Sequence, residues 1–494
     1  MQSGQPTLAA ALLDRAQDVG LRAAYVGYWS AQALWQAGAV ERAEAQLREM
    51  LATTIDIDAA TLLAQVLRAQ GRFNAASAAM QLCVDAPGAD RAQLVRTVQF
   101  MRECQHQDAA LALSHAALSK DDDDPSLHAL AGNLAQELGR FDEAEQHYRT
   151  ALAQGVDLNA WFVLHSLTAL KRYQDPDDPD FTLLRARAHD PTLTPLARAA
   201  VLFGLGKASG DIGNFAGAVA AWREANVLRR ASSPWSRATW DAWVTARLGG
   251  ARLPVSDAVD RSVCPIVVVG LPRTGTTLVA QRLGQHPQVC NRGELPTLPY
   301  LGERLGTVDV AQRSSAVREA AAIYLAHLRR DDPPAHFYVD KNPLNWRYLD
   351  ALAAMFPHAH VVVCQRQRRD TALSIWSQSF AHADYAFAAD FADIAAFADG
   401  CDRLLAHWRA TSPLAIHTVD YELLVRDPVG TMDALVAQIG LNPLGPATVA
   451  AANTAGVITS ASQWQARQPV HTRSVDRWQN YVPYLPELEQ YFPQ

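Results

Sequence analysis

Pro265-Ile-Val-Val-Val-Gly-Leu-Pro-Arg-Thr-Gly-Thr-Thr277 is the stretch on which the reading of this chain turns. An apolar, β-branched run empties into a turn bracketed by Gly270 and Gly275 and closed by two hydroxyls, which predicts strand, phosphate-cradling loop and helix. Thr276 stands where a P-loop nucleotidase carries the lysine that reaches the β- and γ-phosphates. An arginine, Arg273, sits inside the loop instead. Such a loop suits a phosphorylated ligand without a triphosphate, held by backbone N–H groups and hydroxyls.

From about residue 255 short β-branched strands alternate with helices, the pattern of a mainly parallel sheet covered on both faces. Strands are predicted at Ile266 to Val269, Phe337 to Val339, His360 to Cys364 and Ala415 to Val419, with a helix over Leu344 to Phe356. Ligands of open α/β sheets collect at the carboxyl ends of strands, and each candidate residue here follows one. The strand at His360 ends in Arg366, with Arg368 and Arg369 behind it, where a kinase would offer a carboxylate for Mg²⁺. Arg366 and Ser374 flank one phosphate if the first ends the strand and the second lies two turns into the next helix. With the loop at Gly270, the pattern implies a nucleotide phosphorylated at two separate places and held without a metal.

Composition sets the outer bounds. The 494 residues leave room for two or three domains, and 44 basic against 51 acidic residues give a net charge of −7, which argues against nucleic acid as a partner. Cys83, Cys104, Cys264, Cys290, Cys364 and Cys401 show no C-x-x-C spacing and read as free thiols, so a reducing cytoplasm is expected. No secretory leader and no membrane span are expected. His358 and His360 read as a strand entry, no metal-ligand set completes itself, and Gly-x-Ser-x-Gly is absent.

Residues 1–235 are Ala- and Leu-rich with helical periodicity. Ala43, Ala76, Ala110 and Ala144 recur at intervals of 33, 34 and 34. Gly38, Gly71 and Gly139 lie five residues earlier, with Gln105 in that place in the third unit, and Phe73 and Phe141 lie three earlier. A further unit carries Gly213, Phe215, Ala218, Trp222 and Ala225, leaving room for an irregular one around Trp161. The pattern resembles the tetratricopeptide repeat, which stacks helix pairs into an all-α solenoid with a concave face. That face either docks a peptide or protein partner or merely scaffolds the rest. The acidic runs Asp121 to Asp124 and Asp175 to Asp180 read as solvated turns between repeats. A helical linker over 236–256, rich in Trp235, Trp240 and Trp243 nearby, is expected to pack the array on a domain spanning 257–494.

Taken together, Pro272-Arg-Thr-Gly-Thr-Thr277, Arg292-Gly-Glu294, Asp340-Lys-Asn-Pro343, Arg366 with Ser374, and Tyr421-Glu422 resemble the motifs of sulfotransferases. The resemblance points to bacterial tetratricopeptide-repeat sulfotransferases and, within 257–494, to protein-tyrosine sulfotransferases. It implies a P-loop-like α/β fold and 3′-phosphoadenosine 5′-phosphosulfate (PAPS) as donor, with 3′,5′-ADP as product. The acceptor would be a hydroxyl: a peptide or protein tyrosine, a glycan or a small molecule. Glu294 would then be the general base, with a surface carboxylate as the plain reading. Lys341 would stabilise the sulfuryl group or the leaving oxygen, or else pair with Asp340. Arg273 would neutralise sulfate oxygens, and Thr274, Gly275, Thr276 and Thr277 would bind the 5′-phosphate. Tyr421 would touch the nucleotide or pack in the core. The tail from Ser460 to Tyr481 resembles the segment that closes over the donor, and among Arg467, Arg473 and Arg477 it is Arg467 that would reach the 3′-phosphate. Gln378 and Gln468 stand where the protein-tyrosine members carry a basic residue. Two other readings stay open: a nucleotide-dependent kinase on the same loop, and a repeat-based binding or scaffold protein with a degenerate nucleotide-sensing domain.

Overall fold

The computed structural model describes residues 23–120, 124–250, 252–256, 260–380, 382–443, 467 and 470–493. The chain forms two compact units, residues up to 123 with 322–334, and 124–321 with 335–494. The expected fold is present: repeat helices first, then an α/β domain on a parallel sheet. Of the tail, Trp464 and Gln468 lie outside the described residues, as do Asp121 to Asp123.

In the first unit the helices Ala23–Gln36, Val40–Thr53, Ile57–Ala69, Phe73–Asp85, Arg91–Glu103 and Gln107–Leu118 follow one another through tight turns. Ala43, Ala76 and Ala110 have no exposed surface, because only a methyl group fits where paired helices approach. The turn residues five positions earlier are all left-handed, with φ of 81° at Gly38, 75° at Gly71 and 62° at Gln105. Glycine adopts this without a steric cost, whereas Gln105 carries strain of roughly 1–2 kcal/mol. The segment 322–334, from much later in the chain, completes the unit. The Asp331 carboxylate accepts the backbone N–H groups of Asn74 (2.9 Å) and Ala75 (2.8 Å), capping the helix Phe73–Asp85. Any side chain at Gly71 would place its Cβ 2.4 Å from the Ala326 carbonyl oxygen.

The second unit begins with helices between Pro125 and Ser232, where Ala144 and Ala218 are again fully buried and Gly139 and Gly213 are left-handed at 79° and 83°. Asp175 and Asp177 lie in the expected exposed turn, and only Asp180 at the end of the run departs from it. Asp180 is buried and accepts from Tyr173 Oη (2.8 Å) and Arg149 Nη1 (3.2 Å), with Lys171 Nζ at 3.0 Å. Burial pushes its carboxyl up, but these three partners together hold it below the usual carboxylate range. The helix Arg237–Gly249 lays Trp240 against Phe397 with ring centroids 4.7 Å apart and donates its indole N–H to the Ala396 carbonyl at 3.1 Å.

Five strands follow: β1 (Cys264–Gly270), β2 (Val289–Asn291), β3 (Phe337–Asp340), β4 (His360–Gln365) and β5 (Ala415–Asp420). They are all parallel, in the order β2-β3-β1-β4-β5. One face of β1 and β4 packs on the helices Thr276–Leu283 and Pro428–Ile439 through Ile266, Val268, Val362, Leu283 and Val436. Strand order reverses at β1, so the crevice for a ligand opens at its carboxyl end. The expected helix over Leu344 to Phe356 begins instead as a 3₁₀ stretch, Pro343–Tyr348, because Asn342 caps Leu344 N at 3.1 Å, before Leu349–Met355 turns α-helical.

Candidate active site

Because the strands are parallel, their carboxyl ends form one edge, and sheet order sets out the candidates along it. Glu294 follows β2, Lys341 follows β3, the turn 271–275 follows β1, Arg366 follows β4 and Tyr421 follows β5.

The turn after β1 is tightly determined. Thr274 Oγ1 donates to the Leu271 carbonyl at 2.8 Å, and Arg273 takes φ 72° between Gly270 and Gly275. Gly275 has φ 92°, and a Cβ there would lie 2.7 Å from the Tyr421 ring. The N-cap of the helix Thr276–Leu283, Gly275, offers its first-turn amides no side-chain acceptor, as in anion-binding loops. Thr274, Thr276 and Thr277 are all buried beside them.

Arg273 is the centre of the cluster at the ends of β1 and β4. Its Nε donates to Ser374 Oγ at 3.2 Å, and its carbonyl accepts from Arg366 Nη1 at 3.1 Å. Burial first, then the positive charges of Arg366 and Arg477 working against Tyr421, brings its guanidinium down to about 10. Arg366 lies over the Tyr421 ring (4.7 Å) and donates to the Ser474 carbonyl, with Asp370 at 3.8 Å; its buried Nε meets no partner. Tyr421 thus backs both the loop and Arg366, while Glu422 accepts the Gln367 N–H at 3.1 Å and fixes the chain after β4.

On the other side, Lys341 Nζ donates to the Glu294 carboxylate. Lys341 is buried and Glu294 about a third exposed, at 32%. Glu294 is the carboxylate that Lys341 Nζ bonds, while the neighbouring Asp340 carboxylate accepts from Asn345 Nδ2 (3.0 Å) and Leu295 N (3.3 Å). The Lys341 N–H donates to the Gly293 carbonyl at 2.8 Å, where φ is 68°, so the Gly-Glu and Lys-Asn-Pro elements are pinned to each other by backbone.

The tail holds Arg467 at a helix end. Arg467 donates to the Glu137 carbonyl at 2.7 Å and lies against Gly139, where a Cβ would come within 2.5 Å of its Nε. The last carbonyls of the helix Pro125–Leu138 attract a cation, and glycine at the C-cap leaves it room. Arg477 donates to Tyr481 Oη at 3.0 Å, and its positive charge is felt at Arg273. Its segment is held by Asp370, which accepts the N–H groups of Asp476 (2.7 Å) and Trp478 (2.9 Å). Arg477 was visible in sequence as one of several tail arginines, but nothing local distinguishes it. Tyr385 was not singled out at all, although its phenol lies in the field of Glu294; burial and that carboxylate push its pKa up.

A cavity of about 190 Å³ borders Gly270, Thr274 and Arg366. A larger one, about 400 Å³, lies near the opposite end of the strands, among Trp243, Arg247, Ala354, Trp408 and Pro413. Thr274 and Arg366 line the first, but Arg273, Ser374, Glu294 and Lys341 line neither.

Residues 265–444 match the sulfotransferase family. Residues 125–153 match the tetratricopeptide repeat. Among individual proteins, the chain is 30% identical over 239 residues to an uncharacterized protein of Aquifex aeolicus, covering 45% of this chain and 31% of that one. It is 26% identical over 260 residues to nodulation protein NoeE of Sinorhizobium fredii (44% and 62%). It is 29% identical over 125 residues to protein-tyrosine sulfotransferase 1 of Danio rerio (23% and 35%). The chain thus spans less than two thirds of the length of each of these relatives. Similar solved structures include the sulfotransferase domain of the Synechococcus olefin synthase, at 17% identity and TM-score 0.35 over 46% of this chain and 91% of that one. Sulfotransferase STF9 of Mycobacterium avium matches at 16% identity and TM-score 0.30, over 65% and 96%.

Proposed function

We propose that this chain transfers a sulfuryl group from PAPS to a hydroxyl, with a peptide tyrosine as the first acceptor to test. The observation that carries the reading is the linkage of Arg366 and Ser374 through Arg273: two groups expected at the 3′-phosphate are bonded to the one arginine of the 5′-phosphosulfate loop. The family match over 265–444 supports it. Fit can be judged from the cluster itself. A buried guanidinium N–H without a partner, and an arginine whose charge its neighbours discourage, are both relieved by a multiply phosphorylated anion.

In this mechanism Arg366 and Ser374 hold the 3′-phosphate, and the 271–277 amides and hydroxyls hold the 5′-phosphate. The bound donor supplies an electrophilic sulfur and 3′,5′-ADP as leaving group. Glu294 takes the proton from the acceptor hydroxyl, which orients it for in-line attack. Lys341 rests on Glu294 when no anion is near; drawn toward the sulfuryl oxygens, it frees the carboxylate oxygen that must accept the proton. Arg273 adds positive charge at the same place.

Transfer of radiolabelled sulfate from PAPS to tyrosine-containing peptides tests this. Label on the peptide with the wild type and none with Glu294→Ala supports the assignment; no label on any hydroxyl acceptor, peptide or small, overturns it.

A further inference from the structure

The proposed transfer gives no task to Asp370, an acid on the helix Arg368–Trp376 whose side chain has no exposed surface. Gln367 caps that helix by accepting the Asp370 N–H at 2.8 Å, and the Gln367 N–H is in turn held by Glu422. The carboxylate therefore stands on a fixed base. A buried carboxylate is costly unless its oxygens are met. Here the backbone of the tail meets both: Oδ2 accepts from Asp476 N at 2.7 Å and Oδ1 from Trp478 N at 2.9 Å.

These bonds close a ring with Arg366. The two side chains are four residues apart, and Arg366 Nη2 stands 3.8 Å from Asp370 Oδ2, beyond hydrogen-bond reach. The segment 474–476 joins them instead: Arg366 Nη2 donates to the Ser474 carbonyl, and the Asp476 N–H returns to Oδ2. Asp476 takes φ 57°, a left-handed conformation uncommon outside glycine, between those two contacts. Trp478, fixed by the same carboxylate, lies 4.4 Å from the Arg369 guanidinium, whose Nε donates to the Phe492 carbonyl at 2.8 Å. The segment is thus pinned from one helix. With Nη2 on Ser474 and Nη1 on the Arg273 carbonyl at 3.1 Å, the planar Arg366 fork is fixed at both ends beside the cavity that it borders with Thr274.

We propose that Asp370 is a positioning residue for the donor: by fixing the segment 474–478 it holds the Ser474 carbonyl against Arg366 and so sets the guanidinium for the 3′-phosphate. With no exposed surface, the carboxylate acts through Arg366 and not on the nucleotide. Recognition of the 3′-phosphate and docking of this segment are then linked, each strengthening the other. The inference rests on the donor-site reading above.

Calorimetry on the full chain compares 3′,5′-ADP with 5′-AMP in the wild type, Asp370→Asn, Arg366→Ala and the double variant. Asparagine keeps the shape but offers one oxygen to two N–H groups, so it should weaken 3′,5′-ADP by about tenfold, the scale of one hydrogen bond to a charged group, and leave 5′-AMP nearly unchanged. In the Arg366→Ala background the same change should cost 3′,5′-ADP nothing further, because the group it positions is gone. An equal loss of both nucleotides, a loss that adds to that of Arg366→Ala, or no loss at all overturns the inference. Hydrogen exchange on the wild type gives a second reading that needs no variant. At saturation, 3′,5′-ADP should slow the Asp476 and Trp478 amides more than 5′-AMP does, and equal protection by the two overturns the inference as well. A wild type that binds 3′,5′-ADP no more tightly than 5′-AMP removes the two-phosphate reading and this inference with it; a preference kept in full by Asp370→Asn removes Asp370 alone.

Discussion

The two halves of the sheet edge handle charge in opposite ways. At the ends of β1 and β4 the charges of Arg366 and Arg477 bear on Arg273, and Asp370, 3.8 Å from Arg366, is pushed by burial toward its neutral form against the pull of that arginine. At the ends of β2 and β3, Lys341 and Glu294 neutralise each other. Excess positive charge marks a place built to receive an anion, whereas a matched pair is stable alone and becomes reactive only when something draws the partners apart. In the proposed mechanism the first half binds and the second half reacts.

The largest expected effect lies on the reactive half. Glu294→Ala should lower sulfate transfer by about 10²- to 10⁴-fold, the usual range for a lost acid–base group, with 3′,5′-ADP affinity nearly unchanged. A loss of affinity as large as the loss of rate would erase the division between halves. On the binding half, Arg366→Ala should weaken 3′,5′-ADP by about 10- to 150-fold, and Arg366→Lys should recover little of it, since a lysine cannot reach both the Arg273 and Ser474 carbonyls. Gly275→Ala tests the loop geometry. With φ at 92° and Tyr421 at 2.7 Å, it should cost about 1–3 kcal/mol in denaturant unfolding as well as nucleotide affinity. The pair Arg477→Gln and Arg467→Gln sharpens the comparison further: calorimetry should show weaker nucleotide binding for the first and none of that loss for the second.

The smallest effect is on acid stability. Burial, helped by His417 and His358, lowers His360 to about 4, and burial with Lys207 lowers His165 to about 4. These imidazoles stay neutral in the fold while the unfolded chain takes up protons near 6.5, so stability should fall as pH drops from about 6.5 toward about 4 and level off below. Urea midpoints at pH 7.5, 6 and 5 check the sign, and His360→Gln should flatten the slope.

Local signals were the legible ones. The β1 run, the two glycines and the repeated alanines are each set by short-range sterics, so the sequence displays them directly. The turn at Gln105 shows how strictly the repeat holds: without glycine it still adopts φ 62°. Glu294 and Lys341 were identifiable singly, but their contact depends on backbone bonding between β2 and β3 at Gly293, which spans long sequence separation. Long-range placement also hid Arg477, Tyr385 and the docking of 322–334 on the early repeats. Asp180 misled for a related reason: a run of acids looks solvated until Lys171, Tyr173 and Arg149 are brought to it by packing.

Calorimetric titration of the intact chain with 3′,5′-ADP, 5′-AMP and Mg-ATP tests the central claim most directly. A site that grips phosphates on both sides of a ribose with arginine and hydroxyls should bind 3′,5′-ADP most tightly, lose at least about tenfold with 5′-AMP, and gain nothing from magnesium. Tighter binding of Mg-ATP than of 3′,5′-ADP would contradict it.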